Sequence, residues 1–278
     1  MLPVQDDTIT FSFGHIYLIE RIDDLKEKLY TIPLNDAVNE GDECPFCVIE
    51  RKLEQDMLDF VLGSCASYME SDVRDATDRE GMCRAHFKKM FDYGNTLGNA
   101  WILKTHYLRT IREMEEQMKH FKPVKMTVKE RLLKGGEEPK TSMGAWVTQK
   151  EESCYICNRY KDTYERYLDT FFVLYDKDPA FRKKILDSKG FCLPHFGDVC
   201  EGARERLSDK QAAEFYQEIF ELMKTNMERV SEDVAWMVEK FDYRNRDADW
   251  KNSKDAIQRG MQKLKGGYPA DAPYRMQK

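Results

Sequence analysis

A mostly α-helical protein is the fold class this sequence predicts, built as two duplicated modules, each pinned by a metal site, packed together as a helical bundle. Three observations carry that expectation. Glu, Lys, Arg, Leu and Met are plentiful, while 278 residues hold only 15 Gly and 9 Pro, a composition of helices rather than of turn-rich β structure. Apolar residues recur at three- and four-residue steps in several long segments. A cysteine and histidine pattern also occurs twice in one frame.

That repeat organises the chain. Cys44-Pro45-Phe46-Cys47 is followed by Cys83-Arg84-Ala85-His86, and Cys154-Tyr155-Ile156-Cys157 by Cys192-Leu193-Pro194-His195. The offset between the halves is 110 positions at the first motif and 109 at the second. In both, Gly and an apolar residue precede the third cysteine, Gly81-Met82 and Gly190-Phe191, and a phenylalanine follows the histidine.

The elements follow in order. In the first 40 residues, an N-terminal extension, Ile9, Phe11 and Phe13 alternate as in a short strand, and 15–28 has a helical pattern. Module 1 spans 41–121. Ile49, Leu53, Met57, Phe60 and Val61 mark its first amphipathic helix; Leu97, Trp101, Leu108, Ile111 and Met118 mark a long one running towards Phe121. Residues 122–152, with Pro123, Gly135-Gly136 and Pro139, read as a polar linker. Module 2 spans 153–243. Tyr164, Leu168, Phe171 and Tyr175 trace one helix, 196–207 a shorter one, and Ser208-Asp209-Lys210-Gln211 opens another as a capping box. The remainder, 244–278, carries nine Lys/Arg against four Asp/Glu, and its Gly-Gly-Tyr-Pro-Ala-Asp-Ala-Pro stretch predicts a basic, partly disordered tail.

A Cys-x-x-Cys turn sets two sulfurs on one side, and a Cys-x-x-His at a helix start sets a sulfur and an imidazole on one helical face, so the two together complete a tetrahedron. Pairing within each half gives Cys44, Cys47, Cys83 and His86 for one zinc and Cys154, Cys157, Cys192 and His195 for a second. Four protein ligands leave zinc no open position, which makes the sites structural and disfavours catalysis there. The alternative cofactor is iron-sulfur, although ferredoxin spacings crowd their cysteines into one loop. Reactive Cys-x-x-Cys thiols of a redox protein are the other alternative, but no βαβ context surrounds them. Buried reduced cysteines alone would not repeat a histidine twice. Cys65 and Cys200 break the repeat and read as core residues.

The remaining candidates are weaker. His106 reads as an ordinary helical histidine, His15 and His120 lack a constellation, and Tyr68 to Arg74 reads as a solvated acidic turn. A net charge of −6 argues against nucleic acid, no apolar run can span a membrane, and no signal peptide precedes Asp6 and Asp7, so the sequence reads as cytoplasmic. The partner is an unidentified protein or small molecule, the oligomeric state is open, and the function is a non-enzymatic binding or scaffold role.

Several segments together resemble an uncharacterised bacterial family, a domain of unknown function found mainly in anaerobic Gram-positive species. They are Lys28 to Ala37, Cys44 to Cys47, Tyr68 to Arg74, Gly81 to His86 and Asn95 to Gly98. The resemblance runs from about residue 26 to about 240 and implies a bacterial, cytoplasmic, metal-binding protein, with no reaction attached.

Overall fold

The structure, a computed structural model, describes residues 29–64, 67–122 and 141–276. It is helical throughout, with no strand among the described residues. A helix covering 29–39 (α1) leads to α2 (Pro45–Leu62), a 3-10 turn at Ser67–Met69, α3 (Ser71–Glu80), α4 (Arg84–Tyr93) and α5 (Thr96–His120). Then come α6 (Ser142–Glu152), α7 (Tyr155–Lys177), α8 (Pro179–Leu186), α9 (Leu193–Arg206), α10 (Asp209–Glu239) and α11 (Ala256–Lys265). The strand and helix expected before residue 29, and Cys65, lie outside the described residues.

Two compact units form, and neither is continuous in sequence. The first combines the chain up to Ile49 with Glu165–Ala270; the second combines Glu50–Tyr164 with the residues from Asp271 onward. The boundaries therefore differ from the sequential modules 41–121 and 153–243. The physical reason is helix length: α2 is 18 residues and α7 is 23, so at 1.5 Å per residue each spans roughly 27 to 35 Å. Each begins at its own Cys-x-x-Cys in one unit and ends in the other.

The first unit has an aromatic core centred on Phe171, which is fully buried in α7. Its ring lies 5.1 to 6.3 Å from those of Phe46, Phe172, Tyr175, Phe181, Phe191 and Phe215, mostly edge to face. The capping box at Ser208 and Gln211 starts α10, whose buried face includes Phe215, Ile219, Met223 and Val230. Asp178 caps α8, accepting from the backbone N–H of Ala180 at 2.9 Å and of Phe181 at 3.2 Å.

The second unit packs Leu58, Val61 and Leu62 of α2 against Val73, Met82, Met90, Tyr93 and Ile102, with Tyr155 and Ile156 from the first turn of α7. Asn95 joins two helices: its Oδ1 accepts from Gly98 N at 2.8 Å to cap α5, and its Nδ2 donates to Leu62 O at 2.7 Å.

Two expectations are corrected here. Part of the supposed linker is the helix α6, started by Thr141, whose hydroxyl accepts from Gly144 N at 3.1 Å. The tail expected to be partly disordered contains the helix α11, whose Arg259, Gln262 and Lys263 are buried. The tail looks polar in sequence because three of the four buried residues of α11 are polar or charged.

Replacing Phe171 by Ala removes the hub of six ring contacts and should destabilise the chain by about 3–5 kcal/mol in urea unfolding. Exposed Phe91→Ala is the control and should change stability by less than about 0.5 kcal/mol.

Candidate metal centres

Four helix starts position the eight predicted ligands. Cys44 precedes α2 and Cys47 lies in its first turn, while Cys154 and Cys157 stand in the same relation to α7. Cys83 and Cys192 are the N-caps of α4 and α9, with His86 and His195 in the first turns. Helix N-termini present unpaired N–H groups and positive dipole ends, which favour thiolates. Gly81 and Gly190 turn the chain into these caps at φ +65° and +73°. Those left-handed values suit glycine, and a Cβ on Gly81 would fall 2.7 Å from the His106 ring.

The ligands assemble crosswise. One group is Cys44, Cys47, Cys192 and His195; the other is Cys83, His86, Cys154 and Cys157. Each Cys-x-x-Cys is completed by the Cys-x-x-His of the other half, which corrects the pairing expected within halves. The spacing identifies all eight residues, but with 36 and 35 positions between motifs it does not choose a partner. The units decide it, because α2 and α7 carry the chain away from their own first motifs.

In each group all four ligand atoms lie within 4.8 Å of one another, so each could hold a metal ion. In the first, His195 Nδ1 is 3.4, 3.6 and 3.2 Å from the sulfurs of Cys44, Cys47 and Cys192, and Cys47 and Cys192 Sγ are 3.7 Å apart. In the second, His86 Nδ1 is 3.3 Å from Cys83, Cys154 and Cys157 Sγ, and Cys83 and Cys157 Sγ are 3.9 Å apart. The first group is wholly buried, whereas Cys83 is half-buried and Cys157 exposed in the second.

Around the second group a carboxylate orients the histidine. Glu54 of α2 places Oε1 3.4 Å from His86 Nε2, and it accepts from Lys89 Nζ and, at 2.5 Å, from Tyr274 OH. Burial opposes the Glu54 charge, but these three partners outweigh it and hold the carboxyl at about 2. Burial likewise opposes the charges of His86 and Cys154, yet their mutual hydrogen bond raises the imidazole to about 10 and lowers the thiol to about 6. The pair thus favours the imidazolium and thiolate forms, and a metal ion held at Nδ1 would displace a proton.

Around the first group the tail closes the site. Gly267 N–H points at Cys47 Sγ from 3.4 Å, and a Cβ on Gly266 would stand 3.5 Å from Cys192 Sγ. Lys263, 1% exposed, donates from Nζ to the carbonyls of Glu43 at 2.6 Å, Phe191 at 3.3 Å and Lys189, beside Glu43 Oε2 at 3.3 Å. Glu43, next to Cys44, also accepts from Arg229 Nη2 at 2.5 Å. Burial raises the Glu43 carboxyl, but Arg229 and Lys263 prevail and hold it below its usual 4.5. Gln262 donates to Asp42 Oδ1 at 2.6 Å, the same oxygen that accepts from Cys44 N at 2.9 Å.

Nothing in the local sequence marks Glu43, Glu54, Lys263 or Tyr274 as supporting residues; the one available signal is helical periodicity across 256–265. The other candidates have structural places. His106 Nδ1 is 2.8 Å from the Asp78 carbonyl, tying α5 to α3, and its ring lines a cavity of about 820 Å³ with Cys83, Phe87 and Trp146. His120 is exposed beside Glu116, and His15 lies outside the described residues. Cys200 is half-buried rather than core, and its carbonyl accepts from Tyr216 OH at 2.9 Å. Tyr68 to Arg74 forms the 3-10 turn and the start of α3, with Met69 and Glu70 exposed.

Two discontinuous helical units, each enclosing a group of three cysteines and one histidine, define the class: an all-helical protein with two candidate metal centres. Residues 25–271 match a family described as a family of unknown function, DUF6062, and the chain belongs to that family. No curated protein and no solved structure matches it. No described helix is long and apolar enough to cross a membrane.

Lys263→Ala leaves Glu43 buried without its ammonium partner and should cost about 3–5 kcal/mol, read by urea unfolding at pH 7. Because the folded Glu43 carboxyl lies below its unfolded value, its contribution is present above about pH 4.5 and fades as pH falls through the lowered value. The difference between the variant and the parent chain should shrink over that range.

Proposed function

We propose that this protein binds two zinc ions at structural sites and acts as a non-enzymatic binding or scaffold protein for an as yet unidentified partner. The observation that carries the reading is the spacing of the ligand atoms. Zinc bonds of about 2.3 Å to sulfur and about 2.0 Å to nitrogen imply, on a tetrahedron, separations of about 3.8 Å between sulfurs and about 3.5 Å from sulfur to nitrogen. The sulfur pairs at 3.7 and 3.9 Å and the sulfur to Nδ1 distances of 3.2 to 3.6 Å fit that geometry. An iron-sulfur cluster spreads its ligands over several metal atoms, so the compact groups favour one ion in each. Three sulfurs and an imidazole suit zinc, and four ligands leave no position for a reacting water. Burial of the first group supports a structural role. The carboxylate, histidine and ion sequence of the second would set the His86 tautomer and strengthen it as a ligand.

Elemental analysis of anaerobically purified protein should find about two zinc per chain and no visible chromophore; iron with a brown colour overturns the assignment in favour of the electron-transfer alternative. Double variants test the crossed ligand sets. His86→Ala with Cys157→Ala should cost one ion, as either change does alone, whereas His86→Ala with Cys47→Ala should cost both.

The centres should also exchange at different rates. A soluble chelator should remove the ion beside exposed Cys157 first, and the ion beside Gly266 and Gly267 at least about tenfold more slowly, followed by a colorimetric zinc indicator.

A further inference from the structure

Helix α5 presents most of its apolar residues outward, and its inward side, apart from Ile102, is small or polar. The inward side holds Gly98, Ile102, Thr105, His106, Arg109 and Glu113, buried or half-buried. On the outward side stand Leu97, Leu108, Ile111 and Met118, between 44% and 64% exposed, with half-buried Trp101 beside them. An apolar row left in water on a 25-residue helix is unusual for a monomer.

The row has the spacing of a coiled-coil seam. Leu97, Trp101, Lys104, Leu108, Ile111, Glu115 and Met118 follow one another at alternating steps of four and three, three heptads in all. Two of the seven positions are charged, and the charges decide the partner. In a parallel pair Lys104 would face Lys104 and Glu115 would face Glu115 in the seam. In an antiparallel pair about a two-fold axis between 108 and 111, Lys104 of one copy meets Glu115 of the other, Leu108 meets Ile111, and Trp101 meets Met118. The helix is thus complementary in charge and size to an inverted copy of itself. Both charged residues are exposed, and Lys104 Nζ lies 4.7 Å from the centre of the Trp101 ring, which holds it along the row.

We propose that the outward face of α5 is a self-association surface, and that two copies of this chain pair through it as an antiparallel, two-fold symmetric helix pair. The Lys104 and Glu115 contacts, made twice by the symmetry, fix register and direction, a role for which a charged residue in an apolar seam is suited. The apolar layers supply the attraction.

Sedimentation equilibrium of the full chain with its metal retained, over about 1 to 100 μM, tests this. The expected result is a reversible dimer. Leu108→Lys should raise the dissociation constant at least about thirtyfold, and Ile111→Lys should act alike, with helical circular dichroism and metal content unchanged in both. Lys104→Glu alone should weaken the dimer about tenfold, and adding Glu115→Lys should restore it, because the swapped charges again face each other. A monomer throughout that range overturns the proposal, and would mean that another part of the chain covers the row or that it stays in water. A dimer indifferent to Leu108→Lys and Ile111→Lys overturns it too, and failure of the charge swap to rescue overturns the antiparallel arrangement.

Discussion

Convergence of three sulfurs and one imidazole at paired helix N-termini is the constraint on which the rest of the structure depends. Thiolates crowded within 4 Å repel one another, and burial together with the neighbouring sulfurs pushes the Cys44 and Cys157 thiols up; the positive ends of helix dipoles, a neighbouring cation or a bound ion favours the thiolate form instead. Each group accordingly sits where two helices begin. α2 and α9 meet at Cys44 and Cys192, and α4 and α7 meet at Cys83 and Cys154. The glycines at positive φ, the N-cap cysteines and the lengths of α2 and α7 all serve to bring those starts together. The Phe171 core and the core around Leu58 then pack what the clusters have placed.

Much of this was legible from residue types and spacing. Cys-x-x-Cys and Cys-x-x-His repeated in one frame identify all eight ligands, because few other uses of cysteine and histidine need that spacing twice. Helical periodicity located α2, α5, α7 and α10, and the capping box fixed the start of α10. Pairing was not legible: a motif records which residues share a turn, and which turns meet depends on where long helices deliver the chain. α5 shows a second limit of the same kind. Periodicity finds its apolar row at Leu97, Trp101, Leu108, Ile111 and Met118 but does not say whether that row faces inward, and the inner face instead buries Ile102 and uses Gly98 for close approach to Leu62.

The tail shows a third limit. Lys263 and Tyr274 look like solvent-facing residues of a basic, glycine-containing end, and nothing in their local pattern announces a buried role. Lys263 acquires one from Glu43, and Tyr274 from Glu54, two carboxylates on or beside the same helix more than 200 residues earlier. A lysine stem is apolar enough to be buried once carbonyl oxygens receive its ammonium group, and three do so here. The two centres are in this way supported by adjacent stretches of tail, Gly266-Gly267 beside the first and Tyr274 beside the second.

Crossed pairing also nests one loop inside another. The link from Cys83 to Cys154 lies within the span from Cys47 to Cys192, a span of 145 positions where pairing within halves would have closed loops of 36 and 35. Loop closure costs about 0.6 kcal/mol more for each doubling of length, so the outer loop carries a penalty of only about 1.2 kcal/mol relative to a local one. The larger effect is on order. As the chain emerges from the ribosome, the inner loop can close once Cys157 is free, while the outer one waits for His195 and then for the lysine and glycines that cover it. The ligand set of the buried centre is therefore completed after that of the exposed one, although its first two cysteines are the earliest made.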